Sequence, residues 1–160
     1  ARYDKLHLFD VQIDDKQAQY SESRSYEAGS ELVTVDTDQG RLGLSVCYDM
    51  RFPELYRELF RQGAQIITIP AAFTRVTGKA HWETLLRSRA IENQSYVIAA
   101  AQGGKHNEKR ETWGHSMIID PWGTILSQYD HGEGLAIAEI DLQHLMEIRS
   151  RMPVADHRKL

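Results

Sequence analysis

Two short apolar runs constrain this chain more than any other feature: AQIITIP at 64–70 and SYVIAAAQ at 95–102. Neither alternates apolar with polar residues. Both are nearly continuous, the pattern of strands covered on both faces. Between them, residues 80–94 set Trp82, Leu85, Leu86, Arg89 and Asn93 at helical intervals. Ahead of the first run, Pro53 suits the opening turn of a helix that PELYRELFRQG carries to a stop at Gly63. Strand and helix in alternation predict an α/β layered domain rather than a bundle or an all-strand sandwich.

The flanks fit the same scheme. Residues 31–37 (ELVTVDT) alternate, and DQG makes a hairpin turn into a strand over 41–46. Residues 115–120, a PWG turn, 124–128 and 135–140 predict an antiparallel meander. Asp141 is placed to cap a last helix, LQHLMEIRSR, which Pro153 ends. The opening ARYDKLHLFD reads as a strand already under way. Residues 12–30 are polar and poor in β-branched side chains, and they read as a long loop of the kind that often carries function. With no repeat or linker, residues 1–160 read as one domain.

Composition narrows the class of function. A formal net charge of −4 offers no basic face to nucleic acid, and no polybasic run suggests a membrane surface. The longest apolar stretch is broken by a proline, and the charged opening is unlike a signal peptide. One cysteine excludes an internal disulfide and fits a reducing compartment, so a cytoplasmic setting is expected. Seven histidines include no HxH or HxxxH pair, and no metal site is expected. His7 and His81 read as hydrogen-bonded structural residues.

That single cysteine, Cys47, ends GRLGLSVC just before YDMRFPELYRE, at a strand-to-helix elbow. There a helix N-terminus and backbone N–H groups favour thiolate over thiol. The same bend leaves the Tyr48 N–H available to an oxyanion. The alternative is a small buried hydrophobe at the end of a core strand. A cysteine nucleophile needs a cation and an acid/base. Lys5, two residues before His7, is placed to hold developing negative charge, or else is a solvated surface lysine. Glu22, in the polar loop, is a carboxylate that can reach the same pocket.

Together these segments closely resemble the nitrilase superfamily of carbon–nitrogen hydrolases, and within it the Nit branch of amidases. The resemblance spans nearly the whole chain. YDKLHLFD looks like the family's lysine motif and LSVCYDMRFPELYR like its nucleophile motif. FTRVTGKAHWETLLRSRAIENQSYVIAAAQ, GHSMIIDPWG and MPVADHR follow in family order. The resemblance implies a four-layer αββα sandwich, with Cys47 as nucleophile, Lys5 as catalytic lysine and Glu22 as an assisting second glutamate. It also implies a general-base glutamate upstream of the lysine motif, and nothing before Ala1 supplies one. The chain therefore reads as the C-terminal part of such an enzyme, with N-terminal elements missing, and nearly inert alone.

The implied chemistry is hydrolysis of a small carboxamide to carboxylate and ammonia through a Cys47 thioester, with no cofactor. AAAQGGKHNEKR and GHSMIIDPWG look most like amidases acting on deaminated glutathione, with ω-amidases on 2-oxoglutaramate as close relatives. Nitrile or N-carbamoyl hydrolysis and a non-catalytic binding module are the other readings. An anionic substrate would use cations among Arg51, Lys105, Lys109 and Arg110. Arg51 is placed either to touch substrate or to pair with Asp49 or Glu54. Phe73 and Thr74, just past a strand end, are expected to line the pocket. The only expected partners are the substrate and further copies in a homo-oligomer.

Overall fold

The two apolar runs form the middle of a six-stranded sheet in a computed structural model that describes residues 1–159. In chain order the elements are β1 (Asp10–Gln12), β2 (Gln19–Ser21), β3 (Thr34–Thr37), β4 (Gly40–Leu44), α1 (Pro53–Arg61), β5 (Ile66–Thr68) and α2 (Arg75–Asn93). Then come β6 (Tyr96–Ala99), β7 (Gly103–Lys105), β8 (Glu111–Trp113), β9 (Ser116–Ile119), β10 (Ile125–Tyr129), α3 (Leu142–Arg151) and α4 (Val154–His157). Strand order in the main sheet is β10-β9-β6-β5-β4-β3, with β4, β5 and β6 mutually parallel and the outer pairs antiparallel. β1–β2 and β7–β8 are separate two-stranded hairpins. The architecture is α/β, as the alternation of patterns predicts.

Register explains why the apolar runs are continuous. Ile67 lies beside Val97, and Val97 lies opposite Ile119, so these point to one face. There they meet Tyr56 and Leu59 of α1 and Trp82, Leu86 and Ala90 of α2. Neighbouring Ile66, Tyr96, Leu42 and Ile98 point the other way, onto Leu145 of α3. With both faces dry, every position of a central strand gains from being apolar, at about 1.5–3 kcal/mol per buried large side chain.

Several expected boundaries move. α2 starts at Arg75 rather than 80, because Thr74 caps it: its Oγ1 accepts the Thr77 N–H at 3.3 Å, and Gly78 lies inside the helix. The strand expected over 31–37 begins only at Thr34. The first nine residues are not a strand, and the 12–30 loop contains β2 and a 3-10 turn, Glu22–Arg24. No strand forms over 135–140, where Leu135 and Ile137 are 80% and 75% exposed. Alternation there survives without a ladder to enforce it. The β7–β8 hairpin was hidden by its glycines and charges.

Gly78 shows how tightly α2 is set against β8. A Cβ at this position would sit 2.2 Å from Trp113 Cβ. Alanine in a helix interior normally gains about 1 kcal/mol over glycine. Here Gly78→Ala is expected to cost about 1–3 kcal/mol through overpacking, read as a lower urea midpoint. A gain in stability would show that this contact relaxes freely.

Candidate functional site

Three parallel strands end on the same side, and their C-terminal extensions build one cleft of about 930 Å³. Val46 and Cys47 follow β4, Pro70, Ala71 and Ala72 follow β5, and Ala100, Ala101 and Gln102 follow β6. The carboxyl ends of parallel strands are where open α/β sheets leave room for ligands. The floor is stitched by backbone bonds: Cys47 N–H to Pro70 O at 2.9 Å, Ala71 N–H to Ala100 O at 2.8 Å, and Gln102 N–H to Ala71 O at 2.9 Å.

Cys47 stands at φ +51°, a left-handed conformation uncommon for a residue with a side chain. A 3-10 turn, Cys47–Arg51, leads from it to α1. Strain of this kind persists only where surrounding bonds over-determine it. Here the bonds come from Asp49. Its side chain is fully buried, and Oδ2 accepts the Val46 N–H at 2.9 Å while its own N–H donates to Val46 O at 3.1 Å. From behind, buried Arg89 donates to Met50 O at 2.9 Å, tying α2 to the same turn.

The same carboxylate holds the N-terminal segment. Asp49 Oδ2 also accepts the Tyr3 hydroxyl at 2.8 Å, and Oδ1 takes the His7 N–H at 3.0 Å and meets His7 Nδ1 at 2.8 Å. Burial, the bond to Asp49 and its charge push the Tyr3 phenol well above its usual range. Lys5 lies between these anchors. Its ammonium bonds Glu22 Oε2, which also accepts the Phe9 N–H at 2.7 Å. Lys5, Glu22 and Cys47 thus line one cleft, with Phe9, Tyr20, Ser25 and Tyr26 on its outer wall.

The elbow does not make Cys47 a resting thiolate. Burial pushes the thiol upward, outweighing a hydrogen bond from Ala72 and the Lys5 charge, which act downward. Glu22 and Asp49 add to the rise. Desolvation of a thiolate costs more here than one amide and one already paired ammonium return.

The side chains of the other expected site residues lie off the cleft. The Tyr48 ring packs edge-on against Phe9 and Phe52, at 5.0 and 5.4 Å. Phe73 is core, 4.9 Å from Trp82, and Thr74 is spent on capping α2. The wall after β5 ends two residues earlier than expected, because the chain turns inward at Phe73. Arg51 pairs with neither Asp49 nor Glu54; its guanidinium meets His81 Nδ1 at 3.3 Å and lies over Phe73 at 5.2 Å. The sequence reading holds Asp49 only as a pairing partner for Arg51, and Ala72 not at all. Asp49 sits two residues past Cys47, where the 3-10 turn brings its carboxylate back to the Val46 amide. An alanine contributing only its backbone leaves no signal in its side chain. Among the described residues, no three His, Cys, Asp or Glu side chains form a metal-sized cluster, and no helix is long and apolar enough to cross a membrane.

Comparison with known proteins agrees across sequence and structure. The family description Carbon-nitrogen hydrolase matches residues 1–150. The deaminated glutathione amidase of Yersinia enterocolitica is 52% identical over 99% of this chain and 56% of its own length. That of Synechocystis is 55% identical, over 99% of this chain and 58% of the relative. The crystal structure of the Caenorhabditis elegans NitFhit protein superposes with a TM-score of 0.93 at 52% identity, covering 99% of this chain and 39% of that one. The chain spans about half the length of the curated relatives it matches.

Two measurements probe this arrangement. Asp49→Ala strands the Val46, His7 and Tyr3 donors in the interior, and is expected to lower unfolding free energy in urea by about 3 kcal/mol or more. A loss under about 1 kcal/mol would mean that water replaces the carboxylate. Because the Cys47 thiol is raised, its reactive fraction grows as pH climbs through that raised value. Alkylation by a neutral maleimide is therefore expected to be slower than for free cysteine at pH 7, and to keep rising beyond about pH 9. A fast, pH-independent rate near neutrality would mean a thiolate at rest.

Proposed function

The chain belongs to the carbon-nitrogen hydrolase family, and on that premise we propose that it hydrolyses a small carboxamide, the amide of deaminated glutathione, to a carboxylate and ammonia. What supports this reading above all is one cleft in which a strained, half-buried thiol shares its walls with a lysine–carboxylate pair. The names of the relatives, deaminated glutathione amidase, support the substrate. A thiol of raised pKa suits a mechanism in which a carboxylate base removes its proton only as it attacks.

In that mechanism the Cys47 sulfur adds to the amide carbon while its proton passes to a carboxylate. The C=O π electrons of the amide collect on oxygen, where the Lys5 ammonium and the Tyr48 N–H stabilise them. One such donor is worth about 3–4 kcal/mol. The tetrahedral centre collapses, the nitrogen takes the proton, and ammonia leaves a thioester on Cys47. Glu22 assists the base in drawing a proton from water, which attacks the thioester and frees acid and thiol. The family resemblance places that base ahead of the lysine motif. No cofactor enters these steps. A homo-oligomer in a reducing, cytoplasmic setting completes the reading, and the single thiol fits it.

Ammonia release by the full-length protein tests the proposal, using deaminated glutathione, 2-oxoglutaramate, a nitrile and an N-carbamoyl amine. Deaminated glutathione is expected to be the best substrate. Cys47→Ala should lower turnover by more than about 10⁴-fold, and Lys5→Met by about 10²–10³-fold. A panel without Cys47-dependent ammonia removes the amidase reading and leaves a binding module.

A further inference from the structure

The cleft carries a second cation that forms no ion pair among the described residues. Four cations in the sequence stood available to an anionic substrate, and Arg110 is the one that lines the cleft with Cys47. Arg51 is turned onto Phe73 and His81, and Lys105 is paired with Glu108 at 3.0 Å. Lys109 borders only a neighbouring depression, which Arg110 also lines.

Three carboxylates border a depression with Arg110, and each already accepts other hydrogen bonds. Asp15 accepts the Tyr20 hydroxyl at 2.8 Å and the Gln17 and Ala18 N–H groups at 2.9 and 2.8 Å. Glu111 is bound to Arg75 at 2.5 Å, and Glu108 to Lys105. Among the described residues, none of these acids forms an ion pair with Arg110. The other cation of the cleft, Lys5, is matched by Glu22. Arg110 is therefore the cation of the cleft held in no ion pair, with the charge of Asp15 nearby but its oxygens taken by neutral donors, in a cleft large enough for more than a simple amide.

The loop that bears it is ordered. Asn107 Oδ1 accepts the Lys109 and Arg110 N–H groups at 2.9 and 2.8 Å, and the His106 N–H donates to Arg110 O at 2.9 Å. His106 Nε2 meets Thr112 Oγ1 at 2.6 Å, pinning the loop to β8. Opposite stands Tyr20 on β2, its phenol pushed up to about 12 by burial and by Asp15, with the Arg110 charge acting the other way. Tyr20 thus stays neutral beside Arg110, its O–H given to Asp15.

We propose that Arg110 forms a distal anion subsite, binding a carboxylate on the acyl part of the substrate while the amide end lies at Cys47. Which end reacts rests on the amide-hydrolase reading; the anion site itself does not. A guanidinium suits a carboxylate because two parallel N–H groups match its two oxygens.

The test uses full-length protein and paired amides, one ending in a carboxylate and one with a methyl group in its place. The ratio of their kcat/KM values is expected to fall about tenfold or more in Arg110→Gln, mainly through KM. Arg110→Lys should recover part of the ratio, and Lys109→Gln should leave it unchanged. High salt should shrink the wild-type preference, since the subsite opens to solvent. Calorimetry with the corresponding diacid and monoacid gives a readout free of turnover, with the diacid preference lost in Arg110→Gln. An unmoved ratio and an unmoved binding preference overturn the subsite, even where turnover depends on Cys47. A lost diacid preference in a protein that releases no ammonia upholds the subsite and removes the amidase reading.

Discussion

One buried carboxylate holds the site together. Asp49 takes hydrogen bonds from Tyr3, His7 and Val46, so two segments more than forty residues apart in sequence converge on one group. A charge in a dry interior is costly unless its acceptor sites are filled, and here they are filled by parts of the chain whose positions matter. Val46 precedes the strained Cys47, and Tyr3 and His7 flank Lys5. The bonds that satisfy Asp49 therefore also set the lysine and the thiol against one cleft.

The thiol itself is a compromise between placement and ionisation. Closing the cleft floor with backbone bonds among Cys47, Pro70, Ala71 and Ala100 buries the sulfur, and burial resists the thiolate. Strain at φ +51° projects the sulfur where a substrate carbon can be reached, at a backbone cost that Asp49 and Arg89 bear from behind. A nucleophile kept protonated until a base acts is also protected from indiscriminate alkylation and oxidation.

Local patterns were legible where one interaction dominates. The apolar runs of β5 and β6 declare themselves because both faces of the sheet are covered, and Pro53 and Asp141 mark helix starts because unpaired N–H groups make specific demands there. Patterns misled where a partner was required. Leu135 and Ile137 alternate as a strand would, yet with no neighbouring strand to pair with they stay exposed. Phe73 and Thr74 follow a strand end as pocket residues often do, but one is drawn to Trp82 and the other to the helix it caps.

From its sequence alone, this chain already determined its α/β class, the elbow at Cys47 and the family motifs around Lys5, because periodicity, turn chemistry and short motifs act over a few residues. Only the tertiary structure decided that Lys5 pairs with Glu22, that Arg110 rather than Arg51 reaches the cleft, and that the thiol rests protonated. Those outcomes depend on burial and on which charge meets which across the folded surface. Such quantities come into being when distant segments pack together.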